Sequence, residues 1–378
     1  MNRRIYFIGG FDPRGAAHYY RLYKEELEKQ SQLNMSMSTV GKRQRDSALF
    51  SSWRVSSLWD KKESHCEYIF LSWDDIVRKN WTTSIWLLMF KAFAMYRWHM
   101  RSNLLKRFKL AGRGPFLCVV LPLIYLSASA ILAITLALCS ASFIYSITDS
   151  WLFSALMFAL VMMATYYLTV LAGIKTGIWW VLRTCLFLSS WGRDGNLELD
   201  ARAEEFAAKI IADNKEFPVD EVLLIGHCVG SLLSISVMAN ILKKNHESLI
   251  DKLKFITLGQ CIPYLSYQTS AIKFRQELTL VSKNEKFPWL NVVARADPIC
   301  FDQVNPAIYD NFNTVDIKWP KKYLIKPYEM YHPERYKKLK RNKFRIHFQY
   351  IMSSDLFNEY DYFKLTSGLQ FAMINPNN

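Results

Sequence analysis

The stretch Val222-Leu-Leu-Ile-Gly-His-Cys-Val-Gly-Ser231 decides how this chain is read. Val222 to Ile225 make a buried strand. Gly226 and Gly230 then bracket His227, Cys228 and Val229, and apolar residues continue at helical spacing from Leu232 to Leu242. Strand, tight turn and helix with the form Gly-x-nucleophile-x-Gly make a nucleophile elbow, here with a thiol where serine is usual. The glycines are required because the turn is sharp and a side chain at either position would collide with the neighbouring strand or helix. The expected result is an exposed sulfur above a sheet at a helix N-terminus, where backbone N–H groups favour the thiolate. The competing reading is a strand-helix turn around a buried structural cysteine.

Composition places this motif in a membrane context. Of 378 residues, 51% are hydrophobic and 15% aromatic, which is rich for a purely soluble protein, and the excess is local. Phe116 to Ile147 holds no charged residue over 32 positions, enough to cross a hydrocarbon core of about 30 Å. Thr148-Asp149-Ser150 interrupts it, and Trp151 to Leu171 is a second uncharged run of 21 residues, so the two read as a transmembrane helical hairpin. Arg113 precedes the hairpin, Lys175 and Arg183 follow it, and Asp149 alone carries charge in the turn. Positive residues on both flanks put those flanks in the cytoplasm. The expected location is therefore an integral membrane protein of a bacterial inner membrane or its equivalent.

A formal net charge of +15 calls for an anionic partner. Beside a hairpin, anionic lipid headgroups fit better than nucleic acid, whose usual signatures are missing. Residues 80 to 110 mix Trp81, Trp86, Phe90, Phe93 and Trp98 with Lys91, Arg97, Arg101, Lys106 and Arg107, the composition of a helix at a headgroup boundary. The basic run from Lys318 to Arg345 reads as a second headgroup contact or as a solvated face. Seven cysteines form no paired framework, and neither zinc-type spacing nor a cofactor motif is found, which suits free thiols in a reducing compartment.

In chain order, Ile5 to Ile8 is a short strand closed by Gly9-Gly10-Phe11-Asp12-Pro13, with a helix from Arg14 to Lys29. The apolar stretch at the N-terminus is too short for a signal peptide, so folded structure is expected to begin at once. Residues 30 to 64 are polar and read as a loop with a minor strand near 51 to 57, and Glu67 to Trp73 as a buried strand. Gly177 to Leu188, broken by Arg183, is expected to be a re-entrant or interfacial helix roofing the site. Leu199 to Asn214 is an amphipathic helix, and strands follow at Leu253 to Leu258, Leu290 to Ala294 and near Thr314 to Trp319. Alternating strands and helices predict an α/β fold with a mostly parallel sheet and active groups at the strand C-termini. The expected division is 1–79 and 191–378 as two parts of one domain, with 80–190 inserted as an interfacial helix, two transmembrane helices and a lid-like helix.

An elbow thiol needs a base to carry its proton and an acid to orient that base, in the order nucleophile, acid, histidine. Asp297 follows a strand in Val292-Val-Ala-Arg-Ala-Asp-Pro298, with Asp302 as a competing acid. His347 comes 50 residues later, in Phe-Arg-Ile-His-Phe-Gln-Tyr. The reading that competes for His347 is a surface histidine in a basic segment.

Gly226-His-Cys-Val-Gly230, Phe255-Ile-Thr-Leu-Gly-Gln260, the Asp297-Pro298 pair and His347 with Tyr350 three residues on resemble the α/β-hydrolase superfamily, and within it the class 3 lipases. The resemblance spans about half of the chain and leaves the hairpin outside. It implies an α/β-hydrolase-like mostly parallel sheet with Cys228 as nucleophile, Asp297 as acid and His347 as base. It also implies an oxyanion hole from the backbone N–H groups of Val229 and of Phe11 in the Gly10-Phe11 loop. The departure is cysteine for serine, a feature also seen in polyhydroxyalkanoate synthases. The activity this implies is a lipase- or esterase-like hydrolase acting on acyl esters or thioesters of lipids. A thioester intermediate also opens acyl transfer, and a non-catalytic membrane adaptor that kept the fold is the third alternative.

Overall fold

The computed structural model describes residues 1–59, 61–310 and 316–369. The chain forms two compact units, one of Met1–Trp81, Ser102–Pro115 and Leu188–Asn378, the other of Thr82–Arg101 and Phe116–Phe187. Within the 80–190 segment, residues 80–81, 102–115 and 188–190 thus belong with the sheet-bearing unit.

The first unit is built on a mixed sheet. Among the described residues its strands are β1 Asn2–Ile8, β2 Met37–Val40, β3 Gln44–Arg45, β4 Phe50–Trp59, β5 Lys62–Leu71, β6 Glu221–His227, β7 Leu253–Leu258, β8 Trp289–Ala294 and β9 Lys321–Ile325. Their order is β2-β4-β5-β1-β6-β7-β8-β9, with β3 also on β4. From β5 to β9 every neighbouring pair is parallel, while β2, β3 and β4 add an antiparallel edge. The chain is therefore α/β with a mostly parallel sheet. β6 is buried at all of its positions, as expected of a central parallel strand covered on both faces.

The helices that matter here are α1 Gly15–Leu33, α2 Asp74–Lys79, α3 Ile85–Arg101, α4 Leu104–Ala111, α5 Arg113–Thr148, α6 Trp151–Thr176, α7 Ile178–Asp194, α8 Leu197–Glu216 and α9 Gly230–Lys243. The Asn196 side chain caps α8 by accepting from Leu199 N at 3.0 Å. α9, the helix after the elbow, is buried along nearly its whole length.

Register brings the first strand to the centre of the fold. β1 lies between β5 and β6, and Ile8 pairs with Gly226, so the turn after β1 meets the turn after β6. Arg3 fixes the far end of this strand. Its buried guanidinium bonds Glu221 on β6 at 2.6 Å and donates to the carbonyls of Leu365 and Gly368 at 3.0 and 3.1 Å.

One expectation changes. Residues 30 to 64 are not a loop with a minor strand: α1 runs on to Leu33, and β4 and β5 make a hairpin with strands of 10 residues each. Serines that read as loop are absorbed by the ladder, as in Ser57 Oγ to Ser38 Oγ at 2.9 Å and Ser64 Oγ to the Gly368 carbonyl at 3.0 Å. The strand expected near Thr314 to Trp319 lies partly outside the described residues. The last strand of the sheet is Lys321–Ile325.

In the second unit the uncharged runs form α5 and α6, of 36 and 26 residues, both long and apolar enough to cross a membrane. At about 1.5 Å of rise per residue each exceeds the hydrocarbon thickness. Asp149, at φ +50°, makes the turn between them. The Tyr125 hydroxyl donates to the Thr169 carbonyl at 2.5 Å, and the Trp86 ring of α3 stacks on Tyr166 at 4.9 Å. On α3, Trp86, Phe90 and Phe93 stay exposed beside Lys91. α7 continues unbroken through Arg183, whose Nε donates to the Thr82 carbonyl at 2.7 Å.

The meeting of β1 and β6 sets a steric test. A Cβ on Gly230 would lie 2.3 Å from the Ile8 carbonyl oxygen and 2.4 Å from that of Gly9, whereas one on Gly41 has nothing closer than 3.4 Å. Gly230→Ala is expected to cost about 2 kcal/mol or more and Gly41→Ala less than about 1 kcal/mol, measured by thermal unfolding of the full chain in detergent.

Candidate active site

β1, β6, β7 and β8 end side by side, and the turns after β1, β6 and β8 carry Phe11, Cys228 and Asp297. After β6 the chain turns through Cys228, whose φ of +56° lies in the left-handed region that residues with a Cβ seldom enter. The neighbours hold it there. Its N–H donates to the Leu258 carbonyl at 3.0 Å, and its carbonyl accepts from Ser231 N at 3.1 Å and Ser231 Oγ at 2.5 Å. A Cβ on Gly226 would reach Ser234 Oγ at 2.3 Å, so both bracketing glycines are needed. Val229 then occupies the N-cap of α9.

The sulfur is not exposed, contrary to expectation: Cys228 has 1% of its surface accessible. The turn after β1 covers it, since a Cβ on Gly10 would stand 3.4 Å from the sulfur. That turn is itself held, by Trp73 Nε1 donating to the Gly9 carbonyl at 2.9 Å and by Phe11 stacking on Trp81 at 5.6 Å. Around the same strand ends, Phe108 of α4 packs on Tyr264 at 4.9 Å and Phe301 at 5.7 Å, roofing the turns after β7 and β8.

Asp297 lies in the turn after β8 and His347 caps the short helix Lys343–Ile346. They meet: His347 Nδ1 bonds Asp297 Oδ2 at 2.7 Å, with both side chains buried. Tyr350 donates to the same oxygen at 2.9 Å, and Ile299 N donates to Oδ1 at 3.0 Å. Tyr350 reaches it across Gly259, where a Cβ would come within 2.4 Å of the phenol ring. The competing acid Asp302 is not the one bound to His347, and burial pushes its carboxyl up. His347 is no surface histidine. Its Nε2, the nitrogen left over, is buried without a hydrogen bond of standard geometry, and the nearby Cys228 sulfur raises the imidazole.

His227 has a part that its sequence position hid. Its Nε2 bonds the His347 backbone carbonyl at 3.0 Å and its ring lies 5.0 Å from that of His347. A carbonyl only accepts, so Nε2 carries the proton. Burial and the neighbouring His347 push its pKa down to about 4, which keeps it neutral.

The charges support one another. A hydrogen bond from Cys261 holds the Cys228 thiol well below its usual range against the cost of burial, and His347 adds to the effect. Burial works against a charged His347, but Asp297 and the Cys228 sulfur outweigh it and raise the imidazole. Both shifts run toward a thiolate beside an imidazolium, the state that makes a cysteine nucleophilic. Cys261 carries no bracketing glycines and was not singled out in the sequence. Its signal was its place directly after Gly259-Gln260. Among the described residues, no group of three or more His, Cys, Asp or Glu side chains converges as a metal site.

In comparisons with protein families, curated proteins and solved structures, the chain has no match.

A lowered thiol pKa keeps the thiolate populated to lower pH. Removing the imidazole leaves Asp297 uncompensated nearby and raises the thiol again. Alkylation of Cys228 by iodoacetamide should therefore titrate well below the ordinary thiol value of about 8.5. In His347→Ala the profile should move upward, with a rate at about pH 6 reduced about tenfold or more, read by peptide mass spectrometry. Superimposable profiles would show that the two groups do not communicate.

Proposed function

We propose that this chain is a membrane-anchored acyl hydrolase of the α/β-hydrolase fold, similar to class 3 lipases, acting on acyl esters or thioesters of lipids through Cys228, His347 and Asp297. The observation that carries the reading is the strained elbow: a cysteine at φ +56° at a helix N-cap, served by a buried His347-Asp297 pair. The sheet order and the helix directly after the elbow support the fold assignment.

In this mechanism the Cys228 thiolate attacks the acyl carbonyl, and the oxyanion that forms is received by the backbone N–H groups of Val229 and Phe11. His347 gives its proton to the leaving group while Asp297 holds its ring orientation. The remaining thioester is cleaved when neutral His347 takes a proton from the incoming nucleophile, and the thiolate is regenerated. Water as that nucleophile makes the chain a hydrolase.

Acyl transfer is the second reading, and burial favours it. Cys228 and His347 are each 1% accessible, so the closed site holds little room for water and a thioester would persist for another acceptor. The two apolar helices support a lipid substrate, and the charge of +15 supports docking on anionic headgroups at the cytoplasmic face of a bacterial inner membrane or its equivalent.

A fluorophosphonate or thiol-directed acyl probe is expected to label Cys228 in the full chain, with labelling lost in Cys228→Ala and reduced about a hundredfold or more in His347→Ala. Unchanged labelling of His347→Ala would overturn the mechanism. Labelled phospholipid supplied with candidate acceptors separates the two readings, since a free acid reports hydrolysis and an acylated acceptor reports transfer.

A further inference from the structure

The turn after β1, Gly9-Gly10-Phe11-Asp12-Pro13-Arg14, carries two charged residues that fold back on each other. The Asp12 carboxylate is buried, and it accepts from Arg14 N at 3.0 Å, from Arg14 Nε at 2.8 Å and from Arg14 Nη2 at 2.6 Å. An ion pair in water is worth little, but a buried carboxylate that loses its partner is strongly destabilised, so the three donors hold this loop in one shape. Asp12 N in turn donates to the Gly10 carbonyl at 2.8 Å, which closes a three-residue turn centred on Phe11. That turn lies against the elbow, since a Cβ on Gly10 would stand 3.0 Å from the Cys228 Cβ. Its far end is held from α2, where Arg78 Nη1 donates to the Pro13 carbonyl at 3.1 Å.

Arg14 also reaches the segment that carries His347. Its guanidinium carbon lies 5.6 Å from the centre of the Phe348 ring and 6.0 Å from that of Phe344, within cation–π range. Phe348 follows His347 directly, and its ring lies 5.4 Å from that of His227, whose Nε2 bonds the His347 carbonyl. Two contacts therefore bear on this segment: His227 on the His347 backbone, and Arg14 on the rings before and after it.

We propose that Asp12 and Arg14 are positioning residues, a pair that ties the turn holding the Phe11 amide to the segment holding His347. The proposal rests on the acyl chemistry above, in which that amide and that imidazole act on one tetrahedral intermediate. Both must be in place at the same moment, and a displacement of about 1 Å costs roughly a hundredfold in rate. The pair acts through Phe11 and His347 and not on the reacting atoms.

The test uses the full chain in detergent micelles and compares two reactions of Cys228, both read by peptide mass spectrometry. The dodecanoyl thioester of N-acetylcysteamine acylates the sulfur through an oxyanion and a protonated leaving group, so it needs Phe11 and His347 together. Iodoacetamide at about pH 9 does not: alkylation forms no oxyanion, and above the ordinary thiol pKa of about 8.5 the thiolate needs no imidazole. Alkylation reports only that the site is folded and reachable. Arg14→Ala and Asp12→Asn are each expected to slow acylation about tenfold or more, while alkylation stays within about twofold of the unmodified chain. Arg14→Lys keeps a cation over the rings but loses the two-pronged pairing, and its acylation rate should fall between. Acylation and alkylation slowed equally, the mark of a merely structural pair, would overturn the proposal. An unmodified chain that is never acylated would overturn the acyl reading itself and this proposal with it, whereas an acylated Cys228 indifferent to both variants overturns the pair alone.

Discussion

The approach of one backbone to another at Gly230 holds this molecule's centre together. The carbonyls of Ile8 and Gly9 lie where a side chain at residue 230 would begin, and the register of β1 on β6 follows from that contact. With the strands so paired, the glycine turn after β1 sits on the elbow sulfur and α9 starts directly behind it. The left-handed Cys228 is stable there because each of its backbone polar groups is bonded to a neighbour. Backbone strain of this kind persists where the surroundings over-determine it.

A second constraint is electrostatic. Cys228, Asp297 and His347 are all buried, and a buried charge is tolerated only when it is paired and hydrogen-bonded. Asp297 accepts from His347, Tyr350 and the Ile299 amide, and the imidazole answers the thiolate. His227 supports the same residue from behind by holding its backbone carbonyl.

Legibility followed the range of the interaction. The strands β6, β7 and β8 were readable because burial on both faces demands unbroken apolar runs, and α5 and α6 because each is uncharged over a length that could cross a membrane. β4 was not readable beyond a minor strand, since its serines and arginine look like a loop until β2 and β5 pair with it on either side. The order Cys228, Asp297, His347 was visible in the sequence, yet the bond at 2.7 Å between the last two depends on chain reversals that no local pattern encodes. His227 was invisible as a partner because it acts through the backbone carbonyl of a residue distant in sequence.

By itself the sequence determined the parts: a Gly-x-Cys-x-Gly turn between strand and helix, two apolar helices long enough to cross a membrane, and a strongly basic balance, all of them local consequences of residue size, polarity and periodicity. Only the tertiary structure decided that the sulfur is buried and that Asp297 and not Asp302 takes the imidazole. The physical reason is that burial and hydrogen-bond partnership belong to pairs of surfaces, which only the packed sheet, with β1 between β5 and β6, brings together.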